Sequence, residues 1–376
     1  MGKNIIDDFG FEVDFLPIGD KSKSGDAICI RWGYNLNSSI EKQYVMLIDG
    51  GHAISAPSII DFIKTYYYNN SNTLKENTTI NLLINTHPHS DHFGGIPQIY
   101  DETNVQQVVM HRPWTHTGLP KWFQDGRVTA NSIKTQLKEG LESAYKFSEK
   151  YKKESGNDTI ELYAGRCCSL AFDVKLYVLG PSLYYYNHLL PDFNATPTSG
   201  NAIGQNRIQL TGEDVPARIG KLTDEGDTSA ENLSGLIFAL KMPTDDILIF
   251  TGDAGKISLS RALFQFSFFK LDLRKIVFFQ VPHHGSCQNI GPTILNRLFG
   301  YPGNPIQGTP VTSYISVASE PDYAHPSRRL INALLERNCD VFKTQGDSLW
   351  FHSGIIHPRV GWTTATNLGY QTSVEG

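Results

Sequence analysis

The sequence predicts a layered α/β fold, two β-sheets packed face to face with helices covering the outside. Three observations lead there. Short runs rich in β-branched and aromatic residues recur along the chain. Helix-compatible stretches fall between them, which favours stacked layers over an all-β barrel. Several of the apolar runs end in turns that carry His, Asp and Gly.

Taken in order, the strand candidates are Ala27–Trp32, Tyr44–Ile48, Ile80–Ile84, Gln107–His111, Val174–Leu179 and Gly235–Leu240. Ile247–Thr251, Ile276–Val281, Thr312–Val317, Val341–Thr344 and Ser348–His352 complete the set. Each is a short apolar run bounded by polar or Gly-containing turns. Helices are expected at Ala56–Tyr68, Ala130–Lys152, Ser258–Phe266, Pro292–Phe299 and Ser327–Arg337. Two stretches break the alternation. Residues 116–153 are polar and helix-favouring, and residues 191–227 are rich in Gly, Asn and Thr with almost no periodicity. The span from about 115 to 228 is therefore expected to be an insertion of one long helix and one long loop within a single domain covering 1–376, lying as a lid or docking surface. The Tyr66-Tyr67-Tyr68 and Tyr184-Tyr185-Tyr186 triplets suit packing better than base stacking.

With 376 residues, of which 40% are hydrophobic and 19% charged, the chain has enough apolar material for a large core. A net charge of −5 gives no global basic field, so any nucleic-acid contact needs a local patch. The N-terminal residues lack an apolar signal-type core and no apolar run reaches a membrane span, so a cytoplasmic protein without a membrane partner is expected. Five cysteines without a Cys-x-x-Cys spacing are expected to be buried free thiols.

The chemistry concentrates in six residues. His87-Pro88-His89-Ser90-Asp91-His92 follows the apolar run Ile80-Asn81-Leu82-Leu83-Ile84-Asn85 and precedes Gly94-Gly95. An isolated His-x-His is most often a solvated turn. Four ligand-type side chains in six residues, delivered from a tight turn at a strand end, instead suit two adjacent metal ions. Imidazole nitrogen and carboxylate oxygen fit zinc first, then manganese or iron.

This H-x-H-x-D-H string after a hydrophobic strand resembles the metallo-β-lactamase superfamily of binuclear metallohydrolases. Further turns add to the resemblance: Asp49-Gly50-Gly51, Thr251-Gly252-Asp253-Ala254-Gly255, Val281-Pro282-His283-His284-Gly285-Ser286 and Ala324-His325-Pro326-Ser327. In order and flanks the set is most similar to the hydrolase domain of bacterial competence DNA-uptake channel proteins, from about Phe15 to about Phe351 with the middle segment unmatched. The resemblance implies an αββα sandwich with metals at one edge between the sheets. It implies that His87 and His89 bind a first metal, Asp91 and His92 a second, and that Asp253 bridges the two. One of His283 and His284 completes the second site; spacing leaves open which, and the other contacts substrate or stands behind the ligands. Asp49 holds the ligand loop by hydrogen bonds. Where most relatives carry a third histidine for the first metal, this chain reads Glu231-Asn232-Leu233-Ser234-Gly235, and the competence-type domains similarly carry Asn followed by Ser. Asn232 is then at most a weak carbonyl ligand, and the oxygen-rich first site admits manganese beside zinc.

The implied cofactors are two divalent ions, Zn2+ or Mn2+, and the implied activity is hydrolysis by metal-activated water, with Asp91 as the key charged ligand. His325 is a candidate general acid or phosphate contact, since it leads into a helix N-terminus. Ser286 is a candidate substrate contact. Gly-x-Ser-x-Gly is absent from the sequence, so covalent acyl chemistry has no support. A nuclease or phosphodiesterase acting on DNA or RNA is expected, with a separate protein as a candidate partner. The alternatives are a cyclic- or dinucleotide phosphodiesterase and, from another class, a non-catalytic metal-stabilised binding subunit.

Overall fold

A computed structural model describes residues 8–21, 23–36, 42–69, 72–116, 135, 137–193, 221–320, 325–354, 356 and 358–372. Among these, two large sheets dominate. The first contains β1 (Phe9–Phe15), β2 (Ile28–Tyr34), β3 (Gln43–Ile48), β4 (Leu82–Ile84) and β5 (Val108–Val109). The second contains β6 (Cys167–Ser169), β7 (Lys175–Gly180), β8 (Ile237–Lys241), β9 (Ile247–Phe250), β10 (Ile276–Gln280), β11 (Val311–Ile315) and β12 (Cys339–Lys343). The last strand, β13 (Leu349–Gly354), returns to the first sheet beside β1, giving the orders β13-β1-β2-β3-β4-β5 and β6-β7-β8-β9-β10-β11-β12.

Both sheets follow one plan, an antiparallel meander that continues into parallel strands. In the first, β3, β4 and β5 are parallel. In the second, β9 to β12 are parallel. Turns at the carboxyl ends of parallel strands open on the same edge of each sheet, which is where the His- and Asp-bearing turns sit.

The alternation of side chains along each strand builds the layers. Ile28, Ile30 and Trp32 of β2 and Met46 and Ile48 of β3 meet Val178, Phe238, Leu248, Phe250 and Phe278 in the core between the sheets. Cys29, Val45 and Leu47 face the other way into a second core under α1 (Ala56–Phe62) and α3 (Ile96–Glu102). A third core lies outside the second sheet, under α7 (Lys256–Phe268), α8 (Pro292–Phe299) and α9 (Arg328–Leu335). Helix, sheet, sheet, helix is the expected αββα sandwich. Burial on both faces explains why these strands read as continuous apolar runs.

The differences from the sequence reading have local causes. β1 was not among the strand candidates because Glu12 and Asp14 alternate with its apolar residues, yet both carboxylates are fully buried. Ile80–Ile84 splits at Asn81, whose Oδ1 accepts the Val45 amide at 2.8 Å. Gln107–His111 shrinks to Val108–Val109. Ala56–Tyr68 is helical throughout but passes into a π-helical turn at Ile63–Tyr67. α3, α5 (Leu183–Leu189) and β6 were also missed; the first two are only seven residues long.

Of the 115–228 span, residues 117–134, 136 and 194–220 lie outside the described residues, including much of the expected loop. Its long helix, α4, runs Glu142–Ser155 and ends on Gly156 in the left-handed region, whose amide caps Lys152 O at 3.0 Å. Phe147 and Tyr151 of α4 pack on Phe93 and Tyr100, directly behind the His87–His92 turn. The tyrosine triplets largely pack: Tyr67 and Tyr186 are buried, and Tyr68 donates to Thr79 O. Of the five cysteines only Cys29 and Cys339 are buried, contrary to expectation; Cys167, Cys168 and Cys287 reach solvent because they sit on an edge strand and in a loop. Among the described residues no helix is long and apolar enough to cross a membrane.

Candidate metal centre

Four strand ends meet at one edge of the sandwich. Strand β4 delivers His87 through Asn85 and Thr86. His89 then caps a four-residue helical turn, α2 (Ser90–Phe93), so Asp91 and His92 leave from a helix rather than from the tight turn expected. From β3 comes Asp49, in the left-handed region at φ 58°. The Asp49-Gly50-Gly51 turn is tied to α2: Gly50 N donates to His92 O at 2.6 Å and Gly95 N to Gly51 O at 3.1 Å. A Cβ on Gly95 would stand 2.2 Å from Gly50 O, so the approach requires glycine there. From the second sheet, β9 delivers Asp253 and β10 delivers His283 and His284.

Asp49 is the anchor of this edge. Its Oδ1 accepts the Thr86 amide at 2.7 Å and Asn85 Nδ2 at 3.1 Å, and its Oδ2 accepts the Thr86 hydroxyl at 2.6 Å and His92 Nδ1 at 2.7 Å. The proton of His92 is thereby fixed on Nδ1, and Nε2 is left facing the other carboxylates. Asp26, which the sequence reading passed over, lies behind the same pair of rings. Its carboxylate is 3.7 Å from His284 Nδ1 and 4.0 Å from His92 Nδ1, and Gln280 Nε2 donates to it at 2.8 Å. Gln280 in turn accepts the Thr251 and Gly252 amides, so it links the β9 turn to Asp26. The signal was present: Gly25-Asp26 stands at the mouth of a strand, as Asp49 and Asp253 do.

The donor atoms converge. His92 Nε2 lies 3.3 Å from Asp253 Oδ1 and 4.0 Å from Asp91 Oδ2, and His284 Nε2 lies 3.8 Å from Asp91 Oδ2. Asp91, His92, Asp253 and His284 each offer one atom within 4.8 Å of all the others. On the other side of Asp253, His87 Nε2 lies 3.1 Å from His89 Nδ1 and 3.9 Å from Asp253 Oδ2. Two donors held about 2.0–2.1 Å from one tetrahedral ion stand about 3.3 Å apart, so these spacings suit metal coordination. The contacts of 3.8–4.0 Å are too long for direct hydrogen bonds. His92 Nε2, His284 Nε2, Asp253 Oδ1 and Asn232 Oδ1 are all buried without a hydrogen-bond partner among the described residues. Buried polar atoms are normally satisfied, and the first three of these, gathered in one cluster, fit a divalent cation.

The electrostatics agree. Asp26, Asp49, Asp91 and Asp253 are brought together, and none of their ion pairs is with Lys or Arg among the described residues. Burial opposes charge on Asp253, but His92, His283 and His284 hold its carboxyl well below the usual carboxylate range. The counterpart is His284, where burial opposes protonation yet Asp253, Asp91 and Asp26 push it up to about 9. His92 is raised well above the ordinary imidazole value against the same burial. His87 is driven down by burial and by the neighbouring His92 and His89.

The remaining candidates are placed as follows. His325 is half-buried, its ring 6.0 Å from that of His283 at 27°. Asn232 donates from Nδ2 to Thr228 Oγ1 at 2.9 Å. Ser286 is buried, and its hydroxyl accepts the Gln288 amide at 3.3 Å.

Residues 40–218, which hold the His87–His92 turn, match the model of the metallo-beta-lactamase superfamily. The chain has the metallo-beta-lactamase fold. The match is to the superfamily as a whole, over a little less than half of the chain, and does not distinguish the competence-channel branch. A search of curated proteins returned no match. Similar solved structures include the Rm3 metallo-beta-lactamase, 14% identical over 76% of this chain and 84% of that one, with a TM-score of 0.32. A metallo-beta-lactamase with a HARLDQ motif from Cronobacter sakazakii is 12% identical over 65% of this chain, with a TM-score of 0.29; the chain spans 64% of that protein, just under two thirds. A flavo-di-iron protein from Thermotoga maritima is 12% identical over 42% of this chain and 29% of that one, with a TM-score of 0.22.

Proposed function

We propose that the chain is a binuclear metal-dependent phosphodiesterase, acting on nucleic acid as a nuclease, with Zn2+ or Mn2+ as its ions. The observation that carries this reading is the pair of donor clusters on the two oxygens of one buried carboxylate, Asp253, with unpartnered donor atoms directed between them. We assign His87 and His89 to one ion, Asp91, His92 and His284 to the other, and Asp253 to both. Held by these residues, two divalent ions would supply the Lewis acidity for an in-line displacement at phosphorus and for deprotonating water near neutral pH.

The chain's own residues supply the rest. Asp49 fixes the tautomer of His92 and the shape of the ligand turn. Gln280 holds the β9 turn through the Thr251 and Gly252 amides, and Asp26 faces the ring nitrogens of His284 and His92. To His325, half-buried beside His283, we assign the role of giving a proton to a departing alkoxide. A cyclic- or dinucleotide substrate would use the same chemistry in a smaller pocket.

The test is hydrolysis of bis-p-nitrophenyl phosphate, single-stranded and duplex DNA, RNA, cyclic dinucleotides and a β-lactam, each with added zinc or manganese. Cleavage of a phosphodiester, lost in Asp91→Ala, is expected. Opening of the β-lactam ring with every phosphodiester untouched overturns the assignment, and no turnover with two ions bound favours a binding subunit.

A further inference from the structure

We infer that His283 is the third imidazole of the first metal site, taking the place of the histidine that this chain replaces with Asn232. The inference rests on the binuclear reading above. The sequence reading left this site with two imidazoles, a shared carboxylate and an asparagine, an oxygen-rich set. The geometry divides the centre differently.

Asp253 separates the donors by its two oxygens. Oδ1 faces His92 Nε2 at 3.3 Å, on the side of Asp91 and His284. Oδ2 faces His87 Nε2 at 3.9 Å and His283 Nε2 at 3.7 Å. The adjacent histidines thus serve opposite sides of one carboxylate. Their backbone makes this possible. His283 and His284 both lie in the left-handed region, at φ 48° and 53°, a costly conformation for non-glycine residues that clusters at functional sites.

The tautomer of His283 follows from its neighbour. Asn289 is buried, and its Nδ2 donates to Asp253 O at 2.8 Å, which fixes its Oδ1 as the acceptor 2.9 Å from His283 Nδ1. The ring proton is therefore on Nδ1, and Nε2 presents a lone pair toward Asp253 Oδ2. Two acceptors facing each other repel unless a cation lies between them. An imidazole whose second nitrogen is fixed by a buried carbonyl oxygen is the usual form of a metal-bound histidine. Asn232 meets the other nitrogen of that ring, its Nδ2 3.4 Å from Nδ1. The first site then offers three nitrogens and one oxygen, a zinc-type set.

Zinc stoichiometry after equilibrium dialysis tests this without reference to any substrate. Wild type should hold two ions and His283→Ala one. His87→Ala with His283→Ala should still hold one, since both remove the same ion, whereas His284→Ala with His283→Ala should hold none. Asn232→His placed in the His283→Ala chain should restore the second ion. If His283→Ala fails to fold, Asn289→Leu leaves the histidine in place and should weaken one zinc about 10- to 100-fold. Two zinc ions held at wild-type affinity in His283→Ala, or in Asn289→Leu where that is the variant measured, overturn the inference. So does a pattern in which His283 pairs with His284 instead of His87. Fewer than two zinc ions in wild type overturn the binuclear reading and this one together. Two ions without phosphodiester cleavage overturn only the substrate.

Discussion

Two buried clusters of charge lie in this molecule, and they are built on opposite principles. At the outer face of β1, Glu12 and Asp14 meet Arg31 and Arg359. Glu12 accepts Arg31 Nε at 2.7 Å and Trp350 Nε1 at 2.8 Å, and pairs with Arg359 at 2.9 Å. Asp14 takes a forked pair of bonds from Arg359 at 2.6 and 2.9 Å and the Tyr67 hydroxyl at 2.6 Å. Two carboxylates match two guanidiniums, and Arg359 is further enclosed by Tyr66, Trp350 and Trp362. At the metal edge the ion pairs of four carboxylates are with imidazoles alone among the described residues, and donor atoms are left over. Burial of charge therefore does not by itself mark a functional site. The mark is a cluster for which the described residues supply no Lys or Arg and in which polar atoms stay unpartnered.

The comparison breaks most sharply at Asp253. Asp253→Ala removes the one side chain among the described residues that faces both donor sets, so metal content should fall from two ions toward none and hydrolysis to the metal-free rate. Elemental analysis beside a rate assay measures both. Retention of two tightly held ions would mean that the leftover donors do not depend on a bridge.

The same test at the other cluster should have the reverse signature. Arg359→Met leaves Asp14 and Glu12 buried without their shared cation, an uncompensated charge that costs about 3–5 kcal/mol of stability. Burial already holds the Asp14 carboxyl up at about 6 in spite of Arg359, so little reserve exists. Urea unfolding should show the loss, while metal content per folded chain stays at two.

A difference in pH dependence follows. In metal-free protein His284 is raised to about 9, chiefly by Asp253 against the burial that opposes it. A folded value above the unfolded value of about 6.5 means that the folded state holds the proton more tightly. The term is fully present below about pH 6.5 and is lost as pH rises through about 9, on the order of 3 kcal/mol. With zinc bound the ring must be deprotonated, so the term reverses and stability falls as pH drops. Unfolding midpoints of chelated and zinc-loaded protein between pH 6 and 9 should slope in opposite directions.

How far each cluster could be read from sequence has a physical reason. The metal edge is local: His87, His89, Asp91 and His92 fall within one turn, and Asp49, Asp253 and the His283-His284 pair each end an apolar run. The architecture was equally legible, since strands buried on both faces leave unbroken apolar runs. The Glu12–Asp14–Arg359 cluster was not legible, because its partners are more than 340 residues apart and buried acids disguise the period of β1. Nor was the division of labour between His283 and His284, which depends on two left-handed backbone angles and on Asn289. Asp26 and Gln280 were missed because neither stands in a run of ligand-type residues.

A third carboxylate gives the smallest and cleanest contrast. Asp227 accepts the Lys256 amide at 2.9 Å and the Ile257 amide at 3.0 Å, capping α7 just beyond the Asp253 turn. Its counter-charge is the exposed amides of a helix start, so it needs neither a guanidinium nor a metal. A Cβ on Gly255 would stand 2.0 Å from that carboxylate, so the cap is tightly seated. Asp227→Ala should therefore cost about 1 kcal/mol, as the loss of an N-cap does, and leave zinc stoichiometry unchanged. Asp227→Asn should recover most of that stability, because a cap needs an oxygen and not a charge. A loss of zinc in Asp227→Ala with the unfolding midpoint unmoved would show that the 221–229 segment supports the metal edge directly rather than through the helix.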